Sequence, residues 1–161
     1  MNAFNNLVKG GLALAAVCSL AVFVLGQSLP PLESADPWTA GQLVEVEHVA
    51  KAVSGPHNNL LIFYVGPAVL YKKAHIPGAK FVGPPAEPGA LKNLQQQVRS
   101  LPRDSELFLY CGCCPWKVCP NVRPAFRALQ SMGFKKVRVV YFPNNFTLNW
   151  TNKGFPVLKG E

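Results

Sequence analysis

An α/β fold, with a mainly parallel sheet and helices on both faces, is what this sequence predicts, and three observations predict it. Leu60 to Val65 (LLIFYV) is a continuous apolar run, as expected for a strand buried on both faces of a sheet. Apolar residues recur at helical spacing from Gly89 to Leu101 and again from Asn121 to Met132. These helical stretches alternate with short apolar strands, the order that builds βαβ crossovers rather than hairpins. Fifteen prolines and thirteen glycines in 161 residues fit many turns and short elements, and argue against a helical bundle.

From the N-terminus, Lys9 is the single charged residue before Glu33, and Gly10 to Leu25 (GGLALAAVCSLAVFVL) is uncharged and apolar. That pattern predicts that residues 1–26 direct export as a signal peptide cleaved after Val24-Leu25-Gly26, with an uncleaved membrane anchor as the rival. A lipoprotein at Cys18 is the weaker third option, because a bulky Val17 precedes the cysteine. The expected location is periplasmic or secreted, with membrane contact only through this segment. Residues 27–37 (QSLPPLESADP) have no hydrophobic period and read as a linker, so the domain is expected over 38–161, starting at Trp38.

Within that domain, Ala79 to Val82 is expected as a second short strand after Leu60–Val65. The helix of Gly89–Leu101 sets Leu91, Leu94, Val98 and Leu101 on one face and stops at Pro102. Glu106 to Tyr110 (ELFLY) is a third strand, and it runs directly into Cys111. Asn121 is placed to cap a helix with Ala125, Ala128, Leu129 and Met132 inward and Gly133 as its stop. Lys136 to Phe142 (KVRVVYF) is a fourth strand, and Trp150 is expected in the core.

Apolar residues make up 49% and charged residues 15%, which excludes a disordered chain. The net charge is +8, or +7 without Lys9, and its charges are scattered apart from Lys72-Lys73 and Lys135-Lys136. Such a surface suits small anions and lacks any nucleic-acid motif. There is no nucleotide-binding glycine loop, no H-E-x-x-H and no G-x-S-x-G.

The chemistry-bearing feature is a loop with four cysteines in nine residues: Cys111, Cys113, Cys114 and Cys119. A thiol is nucleophilic only as thiolate, and a cysteine between a strand's carboxyl end and a helix N-terminus meets free N–H groups that favour that form. Cys111 holds that place, anchored by its strand, and is the expected reactive thiol; Cys119, one turn before Arg123, is its competitor. Lys117, Arg123 and Arg127 are candidate binders of an anionic substrate, and Trp116 is a lid or a packing residue. Pro115 and Pro120 remove two N–H donors from the loop. Three readings stay open: a persulfide or redox thiol, a disulfide of two among Cys113, Cys114 and Cys119, or a metal nest. The last lacks the paired C-x2-C knuckles of a zinc ribbon, and no cofactor is expected. His75 is read as a turn residue before a strand, and His48 and His57 as surface residues.

Three stretches together resemble the rhodanese-like family. Ala74-His75-Ile76-Pro77-Gly78-Ala79 looks like the signature ahead of that fold's third strand, Leu107–Gly133 like its active-site segment, and Asn149-Trp150 with Lys153–Val157 like its ending. The resemblance implies a rhodanese-like three-layer fold and a sulfurtransferase that carries sulfane sulfur as a persulfide on Cys111. It passes that sulfur from a small donor anion to an acceptor thiol or protein. Two alternatives stand beside it: a thiol–disulfide redox protein, and a non-catalytic binding domain whose cysteines hold a disulfide or a metal. The sequence also departs from the family. Tyr64, Gly66 and Tyr71 stand where an Asp, an Arg and an acidic residue are usual. The loop is about five residues longer than the common form, with Arg123 twelve residues after Cys111.

Overall fold

The computed structural model describes residues 36–55 and 59–160, all within the unit Ser34–Glu161. The export segment 1–26, most of the linker 27–37 and His57 lie outside the described residues. Among the described residues no helix is long and apolar enough to cross a membrane.

Five strands form one sheet: β1 (Leu43–Glu45), β2 (Leu61–Tyr64), β3 (Lys80–Phe81), β4 (Glu106–Tyr110) and β5 (Lys136–Tyr141). Their order is β1-β5-β4-β2-β3 and every pairing is parallel. Parallel neighbours require crossovers, and five helices accompany them: α1 (Val46–Val53), α2 (Ala68–Lys73), α3 (Ala90–Val98), α4 (Val122–Ser131) and α5 (Phe146–Asn149).

Strand alternation sorts the core into two layers. Phe63 and Val65, Leu107 and Leu109, and Val137 and Val139 pack with Leu94 and Val98 of α3 and with Ala125, Phe126 and Leu129 of α4. Ile62, Tyr64, Phe108, Tyr110 and Val140 pack on the opposite face with Val46, Val49, Ala50 and Val53 of α1, Tyr71 of α2 and Trp150. The expected α/β architecture with helices on both faces is therefore the one found, and Trp150 is fully buried.

Several details differ from the sequence expectation. The strand β1 and the helices α1, α2 and α5 are additional elements. In α4 the inward face is Val122, Ala125, Phe126 and Leu129, whereas Ala128 and Met132 are half-buried. Gly133 ends that helix with φ +86°, as expected of a glycine stop. Asn121 sits at the cap position but makes no side-chain capping bond; its side-chain N–H groups point to the cysteine loop instead.

His75 is buried and structural. Its Nδ1 lies 2.8 Å from the Tyr71 carbonyl oxygen, its ring stacks on Tyr71, and its backbone bridges antiparallel to Leu158. That bridge draws the C-terminal tail alongside α2. His48 is exposed, as expected.

Candidate functional site

β4 is the middle strand of the sheet, so its carboxyl end opens where open α/β sheets bind their ligands. Alternation fixes where Cys111 points. Leu107 and Leu109 face the α3/α4 layer, and Cys111, two residues on, joins that same layer. The next residues turn sharply. Gly112 has φ +66°, and a Cβ there would come within 3.0 Å of the Phe146 side chain. Its carbonyl accepts from Phe146 N at 2.8 Å. The loop then makes a 3-10 turn over Trp116–Val118, tied back by Trp116 N to Pro143 O at 3.2 Å.

This path folds the cysteines onto one another. The Sγ atoms of Cys111, Cys113 and Cys119 all lie within 4.8 Å of one another. Cys111 and Cys113 are in sulfur contact at 3.1 Å, and Cys113 and Cys114 at 3.2 Å. Cys111 and Cys119 are 2% and 5% exposed, and Cys113 and Cys114 half-buried. Asn121, 4% exposed, donates its amide to the sulfurs of Cys111 at 3.3 Å and Cys113 at 3.6 Å.

All four are free thiols, so the bridge expected among Cys113, Cys114 and Cys119 is not formed in this structure. The shortest contact between non-adjacent cysteines is Cys111–Cys113 rather than a pair containing Cys119.

Negative charge has one preferred seat in the cluster. Hydrogen bonds from Cys111 and then Cys113 pull the Cys119 thiol strongly down against burial, and the backbone N–H groups of Asn121 and Val122 add to them. For Cys111 the bond with Cys113 lowers the pKa, but the bond to Cys119 and burial outweigh it and the net shift is upward. Cys113 is pushed up by its bonds to Cys111 and Cys119 and by burial, and Cys114 chiefly by burial. The free N–H groups at the start of α4 thus serve Cys119, whereas Cys111 receives the Asn121 side chain; the sequence had them facing Cys111.

The expected cationic helpers are spread out. The Arg123 guanidinium bonds the Cys119 carbonyl at 2.9 Å, pairs with Asp36 at 2.6 Å and lies over the Trp38 ring. These contacts hold the loop to the domain. Lys117 is exposed on the 3-10 turn, and Arg127 lies one turn further along α4, half-buried. Trp116 packs on Trp38 and Tyr141, and also borders a void of about 10 Å³ beside Cys111, Cys114 and Cys119. It is both packing residue and cover.

Sequence reasoning missed the main cleft. A volume of about 560 Å³ opens beside the cluster, lined by Gly112 and Cys113 at one end, apolar Leu70, Phe146, Leu148 and Val157, and the two lysines Lys73 and Lys159. Among the described residues no carboxylate lines it. Lys159 arrives there because of the His75–Leu158 bridge, which no local signal predicts; Lys73 belongs to one of the basic pairs noted from the sequence.

Tyr64, Tyr71 and Tyr110 cluster beneath this end of the sheet, with Tyr64 centred 5.4 Å from Tyr71 and 5.0 Å from Tyr110. Tyr71 donates to Ala79 O at 2.6 Å, and the Tyr110 hydroxyl accepts from Ile76 N at 3.1 Å. Two of these tyrosines, Tyr64 and Tyr71, stand where the resemblance implied acidic residues, and Gly66 where it implied an arginine.

A protein-family model described as "Rhodanese-like domain" matches residues 47–141. No curated protein matches the sequence. Among solved structures, the thiosulfate sulfurtransferase of Pseudomonas aeruginosa superposes with a TM-score of 0.56 at 21% identity, covering 79% of this chain and 21% of that one. The rhodanese-like domain of the Anabaena sp. protein Alr3790 gives 0.52 at 17% identity over 73% of this chain and 79% of that one. The single-domain sulfurtransferase RDL2 of Saccharomyces cerevisiae gives 0.51 at 22% identity over 70% and 90%. At these identities the likeness concerns the fold.

Proposed function

Because the chain belongs to the rhodanese-like domain family, we propose that it is an exported sulfur carrier that holds sulfane sulfur as a persulfide on Cys111. One observation carries this reading. The cysteine at the carboxyl end of the central strand has two further thiols within 4.8 Å of its sulfur and an amide donor on it.

Cys119 holds the thiolate and Cys111 the proton. Once Cys111 gives up its proton to solvent, its thiolate attacks the outer sulfur of a donor such as thiosulfate. A bond forms from Cys111 to that sulfur, the donor's S–S bond breaks, and its electron pair leaves on sulfite. The Asn121 amide stays within reach of the sulfur and steadies the negative charge. An acceptor thiolate then attacks the outer sulfur and returns Cys111 to a thiolate. Donor and acceptor reach the cluster through the cleft that ends on Gly112 and Cys113, where Lys73 and Lys159 favour anions.

Intact-mass spectrometry of the reduced protein after thiosulfate treatment tests this. A gain of ~32 Da, the mass of one sulfur, is expected, and it should vanish in Cys111→Ser. The same gain in Cys111→Ser together with its loss in Cys119→Ser would move the carrier to Cys119. The 3.1 Å contact of Cys111 with Cys113 also favours a second reading, thiol–disulfide exchange by that pair. In that case oxidation gives a two-hydrogen mass loss and thiosulfate adds nothing.

A further inference from the structure

We propose that Cys111, Cys113 and Cys119 form a binding site for one soft monovalent metal ion, copper(I), held by three thiolates. The site goes beyond sulfur transfer, although it uses the same sulfur atoms.

The donor set selects the metal. Three sulfurs converge, and among the described residues no imidazole or carboxylate joins the group. Thiolates alone favour soft ions and exclude magnesium, calcium and manganese. The spacing fits a single ion: with metal–sulfur bonds of about 2.3 Å, three sulfurs around one centre stand about 4.0 Å apart. The three atoms already lie within 4.8 Å of one another. The Cys111–Cys113 contact of 3.1 Å opens by about 0.9 Å to reach that spacing. Cys111 is anchored by β4 and Cys119 by the start of α4, while Cys113 follows the left-handed turn at Gly112 and supplies the adjustment.

The surroundings point the same way. Asn121 forgoes capping its own helix and aims a buried amide at two of the three sulfurs. Such N–H donors to ligand sulfur tune and orient metal thiolates. Trp116, Val122, Val140 and Phe142 wall the void beside Cys111 and Cys119, which at about 10 Å³ has room for about one atom and not for a hydrated ion. On that side there is no space for the water-carrying shells of harder ions. Cys114, 3.2 Å from Cys113, falls outside the group of three mutually close sulfurs and is placed to receive or hand over the ion rather than to complete its shell. The thiols still protonated release their protons to solvent as the ion binds.

The test uses the reduced full chain under anaerobic conditions, titrated with copper(I) against a chromophoric copper(I) chelator. One equivalent should be withdrawn from the chelator, and X-ray absorption should show a shell of three sulfurs. Cys119→Ser and Cys111→Ser should lose this retention, Asn121→Ala should weaken it about 10–100-fold, and Cys114→Ser should keep it. Circular dichroism of each variant checks folding. If Cys119→Ser does not fold, the contrast between Asn121→Ala and Cys114→Ser decides on its own. No withdrawal of copper from the chelator would overturn the proposal. So would a four-sulfur shell lost equally in Cys114→Ser, or preferential retention of zinc.

Discussion

Replacing Gly66 by alanine probes how tightly the thiol cluster is seated. A Cβ on Gly66 would stand 2.5 Å from Tyr64 Oη, 2.6 Å from its Cζ and 3.0 Å from Cys111 Sγ. Ordinary contacts between such atoms fall near 3.5–4.0 Å, so the tyrosine ring must move by about 1 Å. It has nowhere easy to go: Tyr64 is 2% exposed and packed against Tyr71, Phe81 and Tyr110. Its hydroxyl also donates to Pro67 O at 3.3 Å. Overpacking of this kind costs about 1–3 kcal/mol. For a domain of this size a 2 kcal/mol loss lowers Tm by about 6–10 °C. Calorimetric melts of Gly66→Ala and Gly89→Ala make the measurement. At Gly89 a Cβ meets nothing within 4 Å, and only its φ of +87° opposes alanine. Gly66→Ala should melt below both wild type and Gly89→Ala and lose persulfide loading at Cys111. A Tm within 2 °C of wild type would refute the claim that Cys111 and Tyr64 together dictate glycine here.

Other expectations can be checked alongside. Lys73→Gln combined with Lys159→Gln removes two exposed cations from the cleft. At about 0.5–1 kcal/mol each, the pair should raise KM for an anionic donor about 5–30-fold with kcat kept, and added salt should shrink the difference. An unchanged KM would remove the cleft from the donor's path. Cys119 is held down by its thiol and amide donors, so its ultraviolet thiolate absorbance should persist at pH 5, where a cysteine of pKa about 8.5 is almost wholly protonated. Cys119→Ser should abolish that signal, and an equal signal in both proteins would contradict the assignment. Because Cys119 is depressed, it contributes stability that is fully present above about pH 8.5 and lost as pH falls. The raised Cys111, Cys113 and Cys114 act in the opposite direction, losing stability as pH rises beyond that value. The urea midpoint of wild type relative to Cys119→Ser should therefore grow from pH 5 towards pH 8. Trp150→Ala, at a fully buried site whose Nε1 donates to Pro156 O at 2.8 Å, should cost about 3–5 kcal/mol in denaturant titration.

Sequence alone disclosed the elements whose burial is one-sided or complete. LLIFYV and ELFLY read as buried strands because both faces of a central parallel strand are covered, and they became β2 and β4. The helix α1 carries the same kind of signal, with Val46, Val49, Ala50 and Val53 at helical spacing, but it is only eight residues long and follows a three-residue strand, so its period is too short to stand out. The cysteine loop was legible as a site, but its internal geometry was not. Gly112 and the 3-10 turn decide which sulfurs touch, and those depend on anchors at Pro143 and Phe146, far along the chain. The cleft lysines are brought together by a bridge between His75 and Leu158, which no local pattern encodes.

Arg123 shows how the lengthened loop changes the chemistry of its cysteines. A guanidinium directed at the sulfurs would neutralise them. Here it is spent on Asp36, the Cys119 carbonyl and the face of Trp38, and so fastens the loop from behind. The cluster is left with neutral donors only: neighbouring thiols, the Asn121 amide and two backbone N–H groups. Neutral donors stabilise one negative charge by sharing it but do not cancel it. Removing a second proton therefore puts two like charges within 4.8 Å, which explains why one thiol is pulled down while its partners are pushed up. A cluster in that condition gains most from a partner that brings its own positive charge or takes the charge away as sulfur is transferred. Restoring a cation inside the ring separates these electrostatics from packing. Val122→Lys, at the buried start of α4 beside Cys119, should bring the remaining thiols down towards ordinary values and abolish copper(I) retention. Val122→Met, similar in bulk and uncharged, should leave both intact. Equal behaviour of the two variants would mean that shape, and not the uncancelled charge, governs the site.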